Sequence, residues 1–418
     1  MTFIEWAFRA GEGRTIVLDI DGTLVPAGES AVSPDVVEAV FKLKERNTVF
    51  LFSNKHLPER NRTVAHTLGI SLIQSSYRKP NPKVLRGVSE DVIVVGDKHL
   101  TDGLLAFFSG AEFIRVARVT AAQEPILDKI FNAIDDVAGQ TWYFFKCLRP
   151  EQWSKNILIF VPLFFAHAVF NPAALMATAA VFIAFCFISS ATYIANDMAD
   201  VATDREHPTK RFRPLARGDV TVQGVVFLGV TLFLSGALFA FLFAPLALPV
   251  LCVYALSSVF YSVYGKHLPI IEMLMFIWFY FARMLAGALA ASVPLSAWFT
   301  LAVVFLALFM IAAKRYTERM QDRSRAVLAH YSPLFLQSIL IVSAALVVAF
   351  YALYTVLGEG STLAVYSTIP VVSGIVRYLQ LSLGAESAES PERLIITDPG
   401  LLAAGTVWFL MMVAVFYF

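Results

Sequence analysis

Asn196, Asp197, Asp200 and Asp204 stand at the end of a long apolar stretch, and Lys210, Arg211, Arg213 and Arg217 follow closely. Charge is costly against a membrane segment, so acids and bases placed there are candidates for function. On a helix, Asn196, Asp200 and Asp204 recur at every fourth position and Asp197 lies three before Asp200, so all four share a face. Like charges at that spacing repel. A divalent cation between them relieves the repulsion, and carboxylate oxygens suit Mg2+, which typically bridges to a substrate phosphate. The basic residues after them suit the outer oxygens of such a phosphate. The plain alternative is a solvated loop of mixed charge that only orients the protein. The spacing beside a membrane helix favours a diphosphate site.

A second constellation lies in the first 120 residues. Asp19 and Asp21 stand at the end of the β-rich run Thr15–Ile20, and Ser53 and Asn54 follow Thr48–Phe52. Lys79 follows Ser71–Gln74, while Asp97 and Asp102 follow Val92–Val95. Two carboxylates two residues apart can address one metal if the chain turns between them. Asp19 and Asp21 can then split roles, one attacking and the other protonating the leaving group. Ser53 and Lys79 hold a phosphoryl group, and Asp97 completes a Mg2+ site.

These residues must be positioned by elements that the pattern also predicts. Helices or helical turns over Pro34–Arg46, Pro58–Leu68, Pro82–Gly87 and Leu100–Ser109 alternate with the strands, and Glu112–Val116 supplies a fifth strand. Alternation of this kind predicts a parallel, doubly wound α/β sheet, whose chemistry sits at the carboxyl ends of its strands.

Asp19-Ile20-Asp21-Gly22-Thr23, Ser53-Asn54, Lys79-Pro80 and Gly96-Asp97 with Asp102 resemble the four motifs of the haloacid dehalogenase (HAD) phosphatases. The resemblance covers residues 14–118. It implies a Rossmann-like domain with Asp19 as nucleophile through an aspartyl-phosphate and Asp21 as acid and base. Ser53, Asn54 and Lys79 would hold phosphate, and Asp19, Asp21, Asp97 and Asp102 would surround Mg2+. About 30 residues separate the first motif from the second and about 25 the second from the third. Neither gap has room for an inserted cap domain. The layout is similar to the capless subclass IIIA, which includes phosphatidylglycerophosphate phosphatases, and an open site suits a lipid head group.

The rest of the chain is of another kind. Of 418 residues, 57% are hydrophobic and only 16% charged, too apolar for a soluble protein throughout. Nine apolar runs, at 155–170, 173–195, 220–242, 245–264, 269–291, 296–314, 332–356, 361–381 and 399–418, approach the ~20 residues a spanning helix needs. This predicts residues 1–120 as the phosphatase-like domain, 121–152 as a linker and interfacial segment, and 153–418 as an all-α bundle of about nine transmembrane helices. Trp142, Tyr143, Phe144 and Phe145 suit an aromatic belt or, equally, a helix docked on the first domain. The segment Met1 to Arg14 has no signal-peptide core. Loops at 196–219 and 315–331 are rich in Lys and Arg, whereas the connections near 171–172, 243–244, 292–295 and 357–360 carry none. By the positive-inside rule, the expectation is a multi-pass protein of a bacterial-type inner membrane, with the first domain and both sites on the cytoplasmic face. Cys147, Cys186 and Cys252 have no disulfide or metal spacing, and the two within spans are expected to be buried.

Further polar groups mark the bundle. Tyr261 and Lys266 close the fourth run, Glu272 and Arg283 lie in the fifth, and Lys314, Arg315 and Glu318 follow the sixth. Arg283 at membrane depth is expected to face a polar cavity or to pair with Glu272. Asn196-Asp197, Asp200 and Asp204 before such a bundle resemble the UbiA superfamily of intramembrane transferases. That resemblance implies Asp-rich loops holding Mg2+–diphosphate. Most members move a prenyl group from its diphosphate to an aromatic ring and carry a second Asp-rich loop near 314–331, where this chain offers only Glu318 and Asp322. Asp204 to Pro214, Tyr261 with Lys266, Lys314 to Glu318 and Ser390 to Asp398 are similar to decaprenyl-phosphate phosphoribosyltransferases, although Glu272 stands where Asp is expected. This narrower resemblance implies transfer of 5-phosphoribosyl from phosphoribosyl pyrophosphate (PRPP) to a polyprenyl phosphate. The remaining phosphate would then be removed by the first domain, giving polyprenylphosphoryl ribose for glycan assembly. Mg2+ is implied in both domains. The implied partners are PRPP, polyprenyl phosphate and the bilayer, with a homo-oligomer left open and no nucleic acid. The alternatives are an aromatic prenyltransferase with an unrelated phosphatase, and a transporter or scaffold carrying a degenerate phosphatase.

Overall fold

The structure, a computed structural model, describes residues 1–418 except 56, 89–90, 122–124, 208–209, 322–325, 360–361, 385–393, 395–396 and 418. Asp322 and most of the Ser390–Asp398 motif therefore lie outside the described residues. The chain divides into two compact units, Met1–Tyr143 and Phe144–Phe418.

The amino-terminal unit is built on a parallel five-stranded sheet of order β3-β2-β1-β4-β5. Its strands are β1 (Thr15–Asp19), β2 (Thr48–Phe52), β3 (Ser71–Leu72), β4 (Val92–Gly96) and β5 (Glu112–Arg115). The strands β1 and β4 are buried throughout, as parallel strands covered on both faces must be. Ile16, Leu18, Leu51 and Val95 pack on one face, and Val17, Phe52 and Val94 on the other. Helices Pro34–Arg46 and Pro58–Leu68 fall where the sequence predicts them, each with proline in its first turn. The third strand is shorter than expected, and Pro82–Leu85 is only a 3-10 turn.

The chain turns sharply after β1. Gly22 has φ +80°, and a Cβ there would lie 2.7 Å from Asp97 Oδ2. Glycine thus lets the β1 loop approach the end of β4.

The segment expected as a linker contains a helix, Ile126–Cys147. Its Asp135 accepts from the amides of His99 and Leu100 at 3.0 and 2.7 Å. Tyr143 is buried with its ring 4.9 Å from that of His99. Tyr143 therefore packs in this unit rather than joining an aromatic belt.

In the membrane unit, seven helices among the described residues are long and apolar enough to cross a bilayer. They are Pro172–Ala199, Val222–Phe243, Pro245–Val263, Ile271–Ala291, Ala297–Met320, Pro333–Gly358 and Pro399–Tyr417. The first expected run is instead a 3-10 stretch, Pro150–Phe160, that passes into the short helix Val161–Phe165. The eighth is split into Thr362–Tyr366 and Thr368–Leu383. Small residues let segments approach closely: a Cβ on Gly287 would meet the Ile159 carbonyl. Cys186 is buried as expected, but Cys252 is exposed on the outside of its helix.

Candidate functional site

At the carboxyl end of the amino-terminal sheet, Asp19, Asp97 and Asp102 each offer an oxygen within 4.8 Å of the others. Lys79 Nζ lies 2.6 Å from both Asp19 Oδ1 and Asp102 Oδ1. Asn54 places that lysine: its Oδ1 accepts from the Lys79 amide at 2.7 Å, and its Nδ2 donates to the Lys79 carbonyl at 3.0 Å. Asn54 thus fixes the Lys79 backbone with both ends of its side-chain amide. Asp97 is fully buried. Arg118 Nε donates to its Oδ2 at 2.6 Å, while Oδ1 accepts no hydrogen bond among the described residues.

Burial pushes the Asp19 carboxyl above the usual range, and Asp102 and Asp97 push the same way against the pull of Lys79. Burial likewise pushes Asp97 up. Lys79 is held protonated because Asp102 and Asp19 outweigh its own burial. Lys79 and Arg118 bring two positive charges to three buried carboxylates, and an orphaned carboxylate oxygen points to a missing cation. The donor set is all oxygen and suits Mg2+.

Asp21 does not join this group. Arg60 grips its Oδ1 and Oδ2 at 2.9 and 3.0 Å, and Ser53 Oγ donates to Oδ2 at 2.7 Å. Burial alone would raise the Asp21 carboxyl, but these bonds, with one from the Gly28 amide, hold it below the usual range. The expectation that Asp21 shares the metal is corrected: it faces Arg60. Sequence reasoning missed Arg60 and Arg118, because neither belongs to a motif and both reach across from other elements.

The membrane unit builds its site at the end of the Pro172–Ala199 helix. Asp197 lies in the last turn, Asp200 caps it, and Asp204 follows in the short helix Val201–Glu206. The Asp200 amide donates to the Asn196 carbonyl at 2.9 Å, and the Asp204 amide to the Asp200 carbonyl at 2.8 Å. Helical bonding thus continues through the break and keeps the acids on one side.

Each acid meets a cation. Arg213 Nη1 donates to Asp197 Oδ1 at 2.9 Å and to Asp204 Oδ2 at 2.6 Å. Arg149 also bonds Asp197. Lys210 Nζ stands 3.8 Å from Asp204 Oδ1, which is buried without a hydrogen bond among the described residues. Lys266 Nζ holds both oxygens of Asp200, at 2.8 and 3.1 Å. The repulsion that the spacing imposes is therefore relieved by side chains in this state. Arg149 was not foreseen. Its position just before Pro150, at the start of the membrane unit, was the available signal.

Other expected site residues lie elsewhere. Arg211 is exposed, with its guanidinium 4.8 Å above the Phe212 ring. Tyr261 sets its ring edge-on to Phe279 at 5.7 Å. Lys314, Arg315 and Glu318 ride on the Ala297–Met320 helix, not on a loop. Lys314 is half-buried, whereas Arg315 is 2% exposed, with its fork closed on Glu272 at 2.9 and 2.5 Å and on Glu318 at 2.5 Å. Arg315, Glu272 and Glu318 form a buried ion triad rather than a displayed phosphate site. Arg283 does not pair with Glu272. It donates to Asn156 Oδ1 at 2.7 Å, to the Phe279 carbonyl at 2.5 Å and to the Tyr254 hydroxyl oxygen at 3.1 Å, and lies over the Phe185 and Tyr254 rings.

Removing one member of such a triad leaves buried charge uncompensated. Arg315→Met is expected to destabilise the protein by about 3–5 kcal/mol, read as a fall in the midpoint of thermal unfolding in detergent. Adding Glu272→Gln and Glu318→Gln to it should restore part of that loss. An unchanged midpoint in the single variant would contradict the structural role.

The chain is 35% identical over 288 residues to decaprenyl-phosphate phosphoribosyltransferase of Corynebacterium glutamicum, covering 65% of this chain and 86% of that protein. It is 34% identical over 275 residues to the enzyme of the same name from Mycobacterium tuberculosis, covering 63% and 90%. The solved structure of a UbiA homolog from Archaeoglobus fulgidus bound to DMAPP and Mg2+ shares the fold, with TM-score 0.53 and 15% identity over 65% of this chain and 98% of that one. Residues 157–397, more than half of the 418, match the UbiA prenyltransferase family. The chain therefore belongs to the UbiA prenyltransferase family.

Proposed function

We propose that this chain is a bifunctional membrane enzyme that transfers 5-phosphoribosyl from PRPP to a polyprenyl phosphate and then removes the 5-phosphate. The carrying observation is the surplus of cations around the acidic face. Arg149, Lys210, Arg213 and Lys266 meet Asp197, Asp200 and Asp204. Only if a polyanion takes over the cations do the carboxylates become free to hold a metal. PRPP brings a diphosphate and a second phosphate, and the acceptor is itself an anion. The names of the similar proteins point to the same donor and acceptor.

In this reading Asp197, Asp200 and Asp204 would hold Mg2+, which supplies charge stabilisation for the departing pyrophosphate. Lys210, Arg213, Lys266 and Arg149 hold phosphate oxygens. An oxygen of the lipid phosphate forms a bond to C1 of the ribose, and the C1–O bond to the diphosphate breaks, its electron pair leaving with pyrophosphate. The product exposes a phosphomonoester. In the amino-terminal unit, Asp19, Asp97 and Asp102 would hold Mg2+ to offset phosphoryl charge. Asp19 attacks phosphorus, the bond to the ribose oxygen breaks, and Asp21 gives that oxygen a proton. Water then releases phosphate from Asp19. One chain carrying both activities raises the local concentration of the intermediate. Both sites are proposed to face the cytoplasm.

The competing reading is prenyl transfer to an aromatic acceptor. Neutralisation of Glu318 by Arg315 speaks against it, because that acid is then not displayed for a second metal. The discriminating test offers purified protein either PRPP with polyprenyl phosphate or prenyl diphosphate with an aromatic acceptor, in the presence of Mg2+. Pyrophosphate release is expected with the first pair. Release with the second pair alone would overturn the proposal.

A further inference from the structure

Asp21 is saturated in a way that bears on what the amino-terminal site accepts. An ionised carboxylate offers about four lone-pair positions. Asp21 Oδ1 accepts from the Gly28 amide at 3.0 Å and from Arg60 Nη2 at 2.9 Å. Its Oδ2 accepts from Ser53 Oγ at 2.7 Å and from Arg60 Nη1 at 3.0 Å. No position remains for a leaving oxygen. An acid–base group must reach the oxygen whose proton it handles, and the Ser53 hydroxyl that would hold a phosphoryl group is turned to Asp21 as well. The arrangement is well anchored: Arg60 Nε donates to the Glu29 carbonyl at 2.8 Å and Nη1 also to Asn61 Oδ1 at 2.9 Å. The side chains of Arg60 and Asp21 are only 10% and 6% exposed.

What could draw the fork away from Asp21 is another planar or tetrahedral oxyanion, since guanidinium binds carboxylate and phosphate by the same paired geometry. The phosphoryl group being cleaved belongs to Asp19, Ser53 and Lys79. A second anion is needed. We infer that Arg60 is the subsite for a second anionic group on the substrate, a phosphodiester borne by the same sugar as the phosphomonoester that is cleaved, and that engaging it frees Asp21 for proton transfer. This rests on the phosphatase reading above and narrows it to doubly anionic substrates, the class to which a polyprenylphosphoryl 5-phosphoribose belongs. Arg60 touches the substrate at a distance from the scissile bond and acts on the chemistry through Asp21, as a positioning residue.

The test uses the full-length protein in detergent and two soluble probes: methyl riboside 5-phosphate, neutral at C1, and the 5-phosphate of ribose carrying a methyl phosphodiester at C1. A charge-assisted pair contributes about 1.5–3 kcal/mol, so the wild type should prefer the diester probe by about 10-fold or more in kcat/KM. Arg60→Ala should abolish that preference in two ways, lowering kcat/KM for the diester probe and raising kcat for the neutral one, because Asp21 is no longer gripped. Arg60→Lys should keep part of the preference. Equal use of both probes by the wild type would overturn the inference while leaving the phosphatase reading intact. Equal loss on both probes in Arg60→Ala would do the same, since it marks a purely structural residue. Hydrolysis of neither probe by the wild type would overturn the phosphatase reading itself, and the inference with it.

Discussion

Asp204→Ala is expected to lower phosphoribosyl transfer to polyprenyl phosphate by about 100- to 1000-fold, the usual cost of losing one preorganised group that stabilises developing charge. The size of the effect follows from its setting. Asp204 is 1% exposed, shares Arg213 with Asp197, and keeps one buried oxygen without a hydrogen bond. Alanine removes the oxygen proposed to face the metal and also the anchor that brings Arg213 over both acids. Asp204→Asn separates the two: it keeps a hydrogen-bonding oxygen but not the charge, so it should fail to respond to added Mg2+ while still binding PRPP. Initial rates of lipid labelling across a Mg2+ titration read this directly. Phosphate release from a soluble phosphomonoester should persist in both variants, because that chemistry is proposed for the other unit. Wild-type turnover in Asp204→Ala would contradict the role given to the acidic face.

Asp19→Asn should stop phosphate release, by a factor on the order of 10⁴ or more, as expected when a nucleophile is removed from a group that acts as a unit. Lipid labelling from PRPP should continue. The amide is close in size to the carboxylate, so the sheet ends should keep their packing around Lys79 and Asp102. The accumulating lipid should then carry its 5-phosphate. Loss of both activities would contradict two separate sites, and continued phosphate release would remove Asp19 from the chemistry.

Much of this was legible in the sequence because local rules carry it. Proline at the start of the Pro34–Arg46 and Pro58–Leu68 helices fixes where they begin, and continuous apolar strands announce a sheet covered on both faces. The polar residues at strand ends could be found because parallel topology gathers them at one edge. What could not be read was long-range pairing. Arg60, Arg118 and Arg149 reach acids 39, 21 and 48 residues away, and no spacing encodes such contacts. For the same reason Arg315 reads from sequence as a loop cation of the transferase site, although Glu272, 43 residues before it, buries it in a triad. The first apolar run, 155–170, holds a 3-10 stretch and then a short helix with Pro162 in its first turn, a break that hydropathy alone does not reveal.

The central claim is that one chain builds a phosphoribosyl lipid and then trims it. Incubating purified protein with polyprenyl phosphate, Mg2+ and PRPP labelled with 14C in the ribose and 32P at the 5-position tests it most directly. The wild type should yield a lipid that holds 14C but has lost 32P to free phosphate, and Asp19→Asn a lipid that holds both. A lipid fraction free of 14C would contradict the transfer.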